Sequence, residues 1–368
     1  MSQQLRSFLA AVGLIAALAA AGYVAVIVGA ATVVGDSETG IEESAKSDGW
    51  RGVRSGTAGR VSIPDPQAGI LIQSEGEIWR SIRNGPVTAA GAWSMFVMLI
   101  LLAVFYAWRG RILLAGKPTR REVVRFNGIE RFAHWMTAAS FIVLALSGLN
   151  LLYGRYLFIP IVGKEAFAVV TEGGKFLHNF VAFPFMAGLV LMFVLWVRHN
   201  VPSRVDLQWL RLGGGLLSDR HHPAAERFNA GQKAIFWIVI LGGVSVSLSG
   251  VALLLPFAFP IFGKTFVFLN LFGFGLPDML TPMQEMQLAQ VWHSVVSLGL
   301  IVVMFAHIYI GTIGMEGAFQ AMGSGKVDTA WAEQHHSLWA ASAEESVAED
   351  DSVAEDDSVP AAAREGQG

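Results

Sequence analysis

Two histidines lie fourteen positions apart in one apolar stretch, His293 and His307 in QVWHSVVSLGLIVVMFAHIYIGTIG (Gln290 to Gly314). The run is long enough to span a bilayer, and an ionisable side chain there marks a functional position by default. Fourteen residues is just under four helical turns, so both imidazoles project from nearly one face, about 21 Å apart. Neutral imidazole is a common metal ligand and the usual nitrogen ligand of haem iron. A helix with one such ligand near each end needs a partner for each on its neighbours. His134 in ERFAHW and His178 in KFLHNF supply them.

The composition agrees with a membrane setting. Of 368 residues 53% are hydrophobic and 15% charged, and the mean hydropathy is +0.50, too apolar for a soluble chain and too long for a single anchor. The class is all-α and polytopic. With no cysteine, the chain offers no ligand for a thiolate-held iron–sulfur cluster, no covalent C-x-x-C-H haem, no thiolate haem and no disulfide. Electrons passing through it must use what histidine holds. Nothing points to nucleic acid, and Gly213, Gly214 and Gly215 read as a flexible turn, lacking the strand and lysine of a phosphate loop.

In chain order, residues 1–34 read as a signal peptide or a transmembrane helix. Residues 35–88 are mixed and polar, with turn signals at Pro64, Asp65, Pro66 and at Asn84, Gly85, Pro86, and a short run (Gly69 to Ile72) that suits a strand or a peripheral contact. An extra transmembrane helix follows at 89–108, then a basic linker at 109–131. Four spans follow at about Phe132 to Tyr153, Phe176 to Val197, Ala234 to Leu255 and Gln290 to Gly314, making a four-helix domain over 132–314. Residues 315–339 form a further segment, and the acidic repeat SVAEDDSVAEDDSV makes 340–368 a disordered tail.

Charge predicts the orientation. The segment after the 89–108 helix and the loop after the second of the four spans carry Arg109, Arg111, Lys117, Arg120, Arg121, Arg125, Arg131, Arg198, Arg204, Arg211, Arg220, Arg227 and Lys233, whereas the two loops between spans on the other side hold only Arg155, Lys164, Lys175 and Lys264. The first side is therefore expected to be cytoplasmic, with 35–88 outside the inner membrane and the C-terminus inside. Both outer loops, LFIPIVGKEAF and PFAFPIFGKTF, are apolar, as contact surfaces are.

On this topology His134 and His307 share the cytoplasmic level and His178 and His293 the outer one. Each pair is placed to clamp one haem b. A single such histidine could as well be a hydrogen-bonded residue of a helix interface, but four at matched depths favour ligation. Ser147 with Gly148, Ser249 with Gly250, and Gly299 would let a macrocycle or another helix approach. His199, His221, His222, His335 and His336, at helix ends or in loops, read as solvated or capping residues.

These stretches carry a resemblance. RFNGIERFAHW with the LSGL after it, KFLHNF, RHNVP, FNAGQK, VWHS, AHIYIGTIG and WAEQHH, between about Arg125 and Trp339, resemble the cytochrome b556 (gamma) subunit of respiratory formate dehydrogenases. The resemblance implies a four-helix bundle holding two haems b on His134, His178, His293 and His307, and a quinone site near the cytoplasmic haem at Asn229, Ala230, Gly231, Gln232 and Lys233. It implies as partners an iron–sulfur (beta) subunit and a molybdenum- or tungsten-containing catalytic (alpha) subunit, so that this chain conducts electrons to quinone and oxidises no formate itself. The N-terminal extension of more than 100 residues departs from the shorter members of that family and suits subunit contact or assembly. Asn229 and Lys233 also fit a helix cap and the positive-inside preference.

Cytochromes b of nickel–iron hydrogenase and thiosulfate reductase share the bis-histidine bundle; FNAGQK and WAEQHH favour formate dehydrogenase over them. A proton-coupled transporter would be expected to carry repeated broken helices and an intramembrane acidic partner, and neither is evident in the histidine-bearing spans. A passive anchor would need no histidines at matched depths.

Overall fold

A computed structural model describes residues 58–60, 70–72, 74–215, 223–277 and 279–343. The leader expected over 1–34, most of the segment at 35–73 with the Pro64 to Pro66 turn, His221, His222 and most of the acidic tail lie outside the described residues.

The elements are β1 (Ala58–Arg60), β2 (Ile70–Ile72), α1 (Ser74–Ile82), α2 (Thr88–Arg109), β3 (Glu122–Val124), α3 (Gly128–Leu157), α4 (Ile159–Trp196), α5 (Arg204–Arg211), α6 (Ala230–Leu254), α7 (Ile261–Asn270), α8 (Pro282–Tyr309), α9 (Ala318–Gly323), β4 (Lys326–Asp328) and α10 (Thr329–His335). Among the described residues, five helical stretches are long and apolar enough to cross a membrane: Ile78–Arg109, Gly128–Leu157, Ile159–His199, Ala230–Leu254 and Pro282–Gly314. Many of their outward side chains are large and apolar, among them Leu99, Phe180, Val190 and Leu241, which suits hydrocarbon rather than water. The protein is an all-α membrane protein.

The sequence placed several helix ends too far in. α8 begins at Pro282 rather than near Gln290, because the polar turn PMQEMQ is held by a cap: Thr281 Oγ1 accepts from Gln284 N while Gln284 Oε1 accepts from Thr281 N. The first apolar loop is helical from Ile159, with a break at Gly163, whose φ of 79° only glycine takes without strain. The second contains α7. Between Gly69 and Ile72 the strand reading holds, since β2 pairs antiparallel with β1.

The chain divides into two compact units. The first holds the described residues up to Ile100 with Phe141–Phe183 and Leu241–Val303. Its core joins Val87, Val291, Val295 and Leu298, with Trp79, Ile82, Met95, Leu149, Leu152 and Tyr153 around them. The Tyr153 hydroxyl donates to Thr88 O at 2.8 Å. In this unit the N-terminus of α7 is capped from another helix: the buried Glu285 carboxylate accepts from Phe262 N at 2.9 Å and Gly263 N at 2.6 Å. Those are donors that a helix start leaves without intrahelical partners. So α8 does carry an acidic residue, but it is engaged by backbone rather than by histidine.

The second unit holds Leu101–Ser140, Pro184–Ile240 and the residues from Met304. Two helix starts in it use the same device. Asn127 and Glu130 exchange backbone and side-chain bonds at the start of α3, both 3.0 Å, and Asn229 and Gln232 do so at the start of α6, at 3.1 and 3.0 Å. Each box follows an Arg-Phe pair, and the arginines reciprocate: Arg125 Nη2 donates to Arg227 O at 2.7 Å and Arg227 Nη2 to Arg125 O at 2.8 Å. Phe126, Phe228 and Trp196 pack as a triangle beside them, with ring centroids 5.6 to 5.7 Å apart. The basic linker is drawn into the fold, as β3 pairs antiparallel with β4.

One close approach in the first unit can be tested. A Cβ at Gly91 would lie 2.5 Å from Leu298 Cδ1 and 2.7 Å from the Tyr153 hydroxyl, whereas one at Gly116 would meet nothing within 4 Å. Gly91→Val is expected to lower the thermal midpoint of the detergent-solubilised protein by several degrees, in line with about 1–3 kcal/mol for overpacking. Gly116→Val should leave it unchanged.

Candidate functional site

The four histidines of the apolar spans form two facing pairs. Within the first unit His178 on α4 faces His293 on α8, with ring centroids 6.1 Å apart and planes inclined at 66°. Within the second, His134 on α3 faces His307 on α8 at 6.3 Å and 53°. A metal–nitrogen bond of about 2 Å, with about 1.1 Å from ring nitrogen to ring centroid, puts two axial imidazoles about 6 Å apart. Both pairs have the separation of axial ligands to one ion.

The tautomers agree at the first pair. Ser147 Oγ donates to Val143 O at 2.7 Å, so the 2.9 Å contact between Ser147 Oγ and His178 Nδ1 is a bond donated by the imidazole. Ser249 Oγ donates to Val246 O at 3.0 Å, and His293 Nδ1 lies 3.0 Å from Ser249 Oγ and 3.1 Å from Val246 O; the carbonyl can only accept. Nδ1 therefore carries the proton in both rings, and Nε2 presents its lone pair. That is the form a metal requires, oriented by the second hydrogen bond in the usual way. At the other pair the His134 Nδ1 is buried without a hydrogen-bond partner.

The sequence had read Ser147, Gly148, Ser249 and Gly250 only as small residues. In the structure the serines hold imidazoles and Gly250 makes room for one: an added Cβ there would lie 3.3 Å from His293 Cε1, whereas one at Gly148 would stand in ordinary contact, 3.5 Å from His178 Cε1. The signal was the repeated triplet Leu-Ser-Gly, at 146–148 and 248–250. Nothing lies within 4 Å of a Cβ built on Gly299.

Among the described residues there is no group of three or more histidines, cysteines or carboxylates that could hold a bare metal ion. Paired imidazoles suit a metal whose remaining ligands come from a macrocycle, as haem iron does.

The stretch Asn229 to Lys233 opens α6. The side-chain oxygens of Asn229 and Gln232 are occupied by the capping bonds, which leaves each amide NH2 to donate. The Lys233 ammonium is buried and shared by Asp206 at 2.9 Å and Glu226 at 2.8 Å. Gly231 lies under the Trp209 ring, 3.2 Å from where its Cβ would stand. His199 lines an open cavity of about 440 Å³ with Glu226, Arg227, Leu338, Trp339 and Ser342.

His336, read from the sequence as solvated or capping, is instead buried, with 1% of its surface exposed. Its Nδ1 lies 2.8 Å from Glu226 O and its Nε2 2.9 Å from Arg125 Nη2. Burial and the Arg125 charge hold it well below the usual histidine range. Burial, then the Arg227 charge, lower Arg125 to about 9, so it stays charged at neutral pH. A histidine beside a charge so far along the chain had no local signature.

Helices that suit a bilayer and two facing imidazole pairs together define a membrane protein of the haem-binding, electron-carrying class. The family model for prokaryotic cytochrome b561 matches residues 125–325, and the chain belongs to that family. It is a membrane cytochrome b, and membership implies haem b. All four paired histidines fall within the match.

Relatives sharpen the likeness. The chain is 31% identical over 221 residues to the formate dehydrogenase cytochrome b556(fdo) subunit of Escherichia coli, covering 60% of this chain and 92% of that one. It is 27% identical over 230 residues to the nitrate-inducible formate dehydrogenase cytochrome b556(Fdn) subunit of the same organism, covering 62% and 94%. A formate dehydrogenase cytochrome b556 subunit of Haemophilus influenzae is 22% identical over 221 residues, covering 59% and 82%.

Ser147→Ala and Ser249→Ala should each weaken haem binding about 10-fold, the low end for removing a bond that orients a ligating histidine. Transfer of haem to apomyoglobin measures it. Unchanged transfer would mean that the serines do not orient ligands.

Proposed function

We propose that this chain is the cytochrome b (gamma) subunit of a formate dehydrogenase, carrying two haems b, one held by His134 and His307 and one by His178 and His293. The observation that carries the proposal is the pair of imidazole–imidazole separations, 6.3 and 6.1 Å, each matching a bis-histidine iron. When bound, the haems supply one-electron iron chemistry, and the chain conducts electrons from an iron–sulfur subunit to quinone. That subunit in turn joins a molybdenum- or tungsten-containing subunit that oxidises formate. The names of the relatives support this assignment.

In this reading residues 132–314 are the dihaem domain. The distribution of arginine and lysine supports a cytoplasmic side at 109–131 and 315–339, with 35–88 and the two apolar loops outside, where the iron–sulfur partner docks. The chain's own residues do three things: the imidazoles ligate, Ser147 and Ser249 keep two of them neutral and oriented, and the apolar helices exclude water.

Quinone binds at Asn229, Gly231, Gln232 and Lys233, in the unit that also holds the His134–His307 pair. Reduction builds negative charge on the quinone oxygens, and the amide NH2 groups of Asn229 and Gln232 are donors that stabilise it. Lys233, balanced by Asp206 and Glu226, keeps a positive charge nearby without leaving it unpaired.

Haem counting tests the first part. The wild type should hold two haems per chain; His178→Ala should lose the one shared with His293, and His134→Ala the one shared with His307. A single haem in the wild type, or two in His178→Ala, would contradict the pairing.

Asn229→Asp tests the quinone site. Aspartate caps a helix as well as asparagine, so folding and both haems should survive. The variant has lost its amide donor and gained a charge, and should reoxidise slowly with added quinone. Wild-type reoxidation would leave the stretch as a helix start only.

A further inference from the structure

The residues that lead into α6 are held from the far end of the chain. Three successive carbonyls accept hydrogen bonds: Ala225 O from Leu338 N at 3.1 Å, Glu226 O from His336 Nδ1 at 2.8 Å, and Arg227 O from Arg125 Nη2 at 2.7 Å. The middle bond sets the tautomer of His336. A carbonyl only accepts, so Nδ1 bears the proton; Nε2 then has a free lone pair and accepts from Arg125 Nη2 at 2.9 Å. His336 thus grips Glu226 directly and Arg227 through Arg125.

The grip is closed off from water. Arg125 has 2% of its surface exposed, and its guanidinium lies 5.2 Å from the Phe126 ring, 5.3 Å from Trp331 and 5.0 Å from Trp339. Trp331, His336, Leu338 and Trp339 all belong to the strap that follows β4. The arginines tie the strap to both capping boxes, since Arg227 Nη2 also donates to the Glu130 carboxylate at 2.9 Å. Asn229 follows Arg227 by two residues, and Lys233 returns to Glu226. No atom of His336 need touch a ligand for its position to matter.

We infer that His336 is a positioning residue: the C-terminal strap, through the bond of His336 Nδ1 to Glu226 O, sets the placement of Asn229 to Lys233 and so the affinity for quinone. This rests on the quinone reading above, and the test separates the two. Reorganising the three carbonyls moves the amides of Asn229 and Gln232, and a displacement of an ångström at a binding group costs one to two orders of magnitude.

The experiment uses the purified full chain with its haems, reduced with dithionite and mixed with a soluble naphthoquinone or, separately, with ferricyanide, which takes electrons without a quinone site. His336→Ala should raise the naphthoquinone concentration for half-maximal reoxidation by about 10-fold, with haem content and the ferricyanide rate unchanged. His336→Asn should restore it, because its amide NH2 stands where Nδ1–H stood. If His336→Ala behaves as wild type while Asn229→Asp is slow, the positioning role is overturned and the quinone site stands. If both behave as wild type, the quinone site itself falls.

Should His336→Ala lose its haem, the comparison of His336→Asn with His336→Gln decides. Asparagine keeps the donor to Glu226 O and should keep the wild-type half-saturation; glutamine reproduces only the Nε2 end and should not. Equal values in the two variants overturn the proposal.

Discussion

An imidazole among apolar helices is stabilised when it is neutral and its N–H has an acceptor, and the architecture around His178 and His293 meets both conditions. Charging a ring there is expensive, and an unmatched N–H costs nearly as much as a lost hydrogen bond. Serine one helix away meets the need because its own proton is absorbed by a carbonyl of the preceding turn, as Ser147 does with Val143 and Ser249 with Val246. The hydroxyl oxygen is then an acceptor, and Nδ1 must donate. One choice of residue on α3 and one on α6 therefore sets which nitrogen the histidines of α4 and α8 leave with a free lone pair. Gly250 completes it at one ring, since a side chain there would press on the imidazole that Ser249 holds.

The same local solution occurs twice, and so does the helix start. Arg-Phe-Asn at 125–127 and at 227–229, each followed by a capping Glu130 or Gln232, stand the same distance before Leu-Ser-Gly at 146–148 and 248–250. Pro-Ile-x-Gly-Lys recurs at 160–164 and 260–264. Two helical hairpins, α3 with α4 and α6 with α8, are built on one plan, and the two arginines bond to each other's carbonyls. The plan diverges where the chemistry does: His134 in the first copy corresponds to Phe236 in the second, and α8 carries a second histidine that α4 lacks. The transporter reading looked for repeated broken helices; the repeat that exists is of intact starts and shared triplets.

Much of this was legible in the residues. Apolar runs of bilayer length announce helices whatever they pack against, because hydrocarbon leaves the backbone no other partner than itself. Histidine is rare enough in such runs that four at two depths pair almost by themselves. Helix ends were the weak point: Pro282 and Ile159 begin their helices in polar or proline-rich sequence, where capping and tertiary contacts decide. The buried Glu285 shows why, since its carboxylate serves the start of α7 rather than that of its own helix.

The sequence by itself determined the class, the spans and which histidines face one another, because each depends on hydropathy and helical period, properties of a residue and its near neighbours. Only the tertiary structure decided the protonated nitrogen of His178 and His293, the buried place of His336 and the grip on Ala225, Glu226 and Arg227. Each of these is a hydrogen bond between groups some 30 to more than 200 residues apart. Such a bond leaves no period and no local composition to read, since its donor and acceptor meet only when separate helices pack.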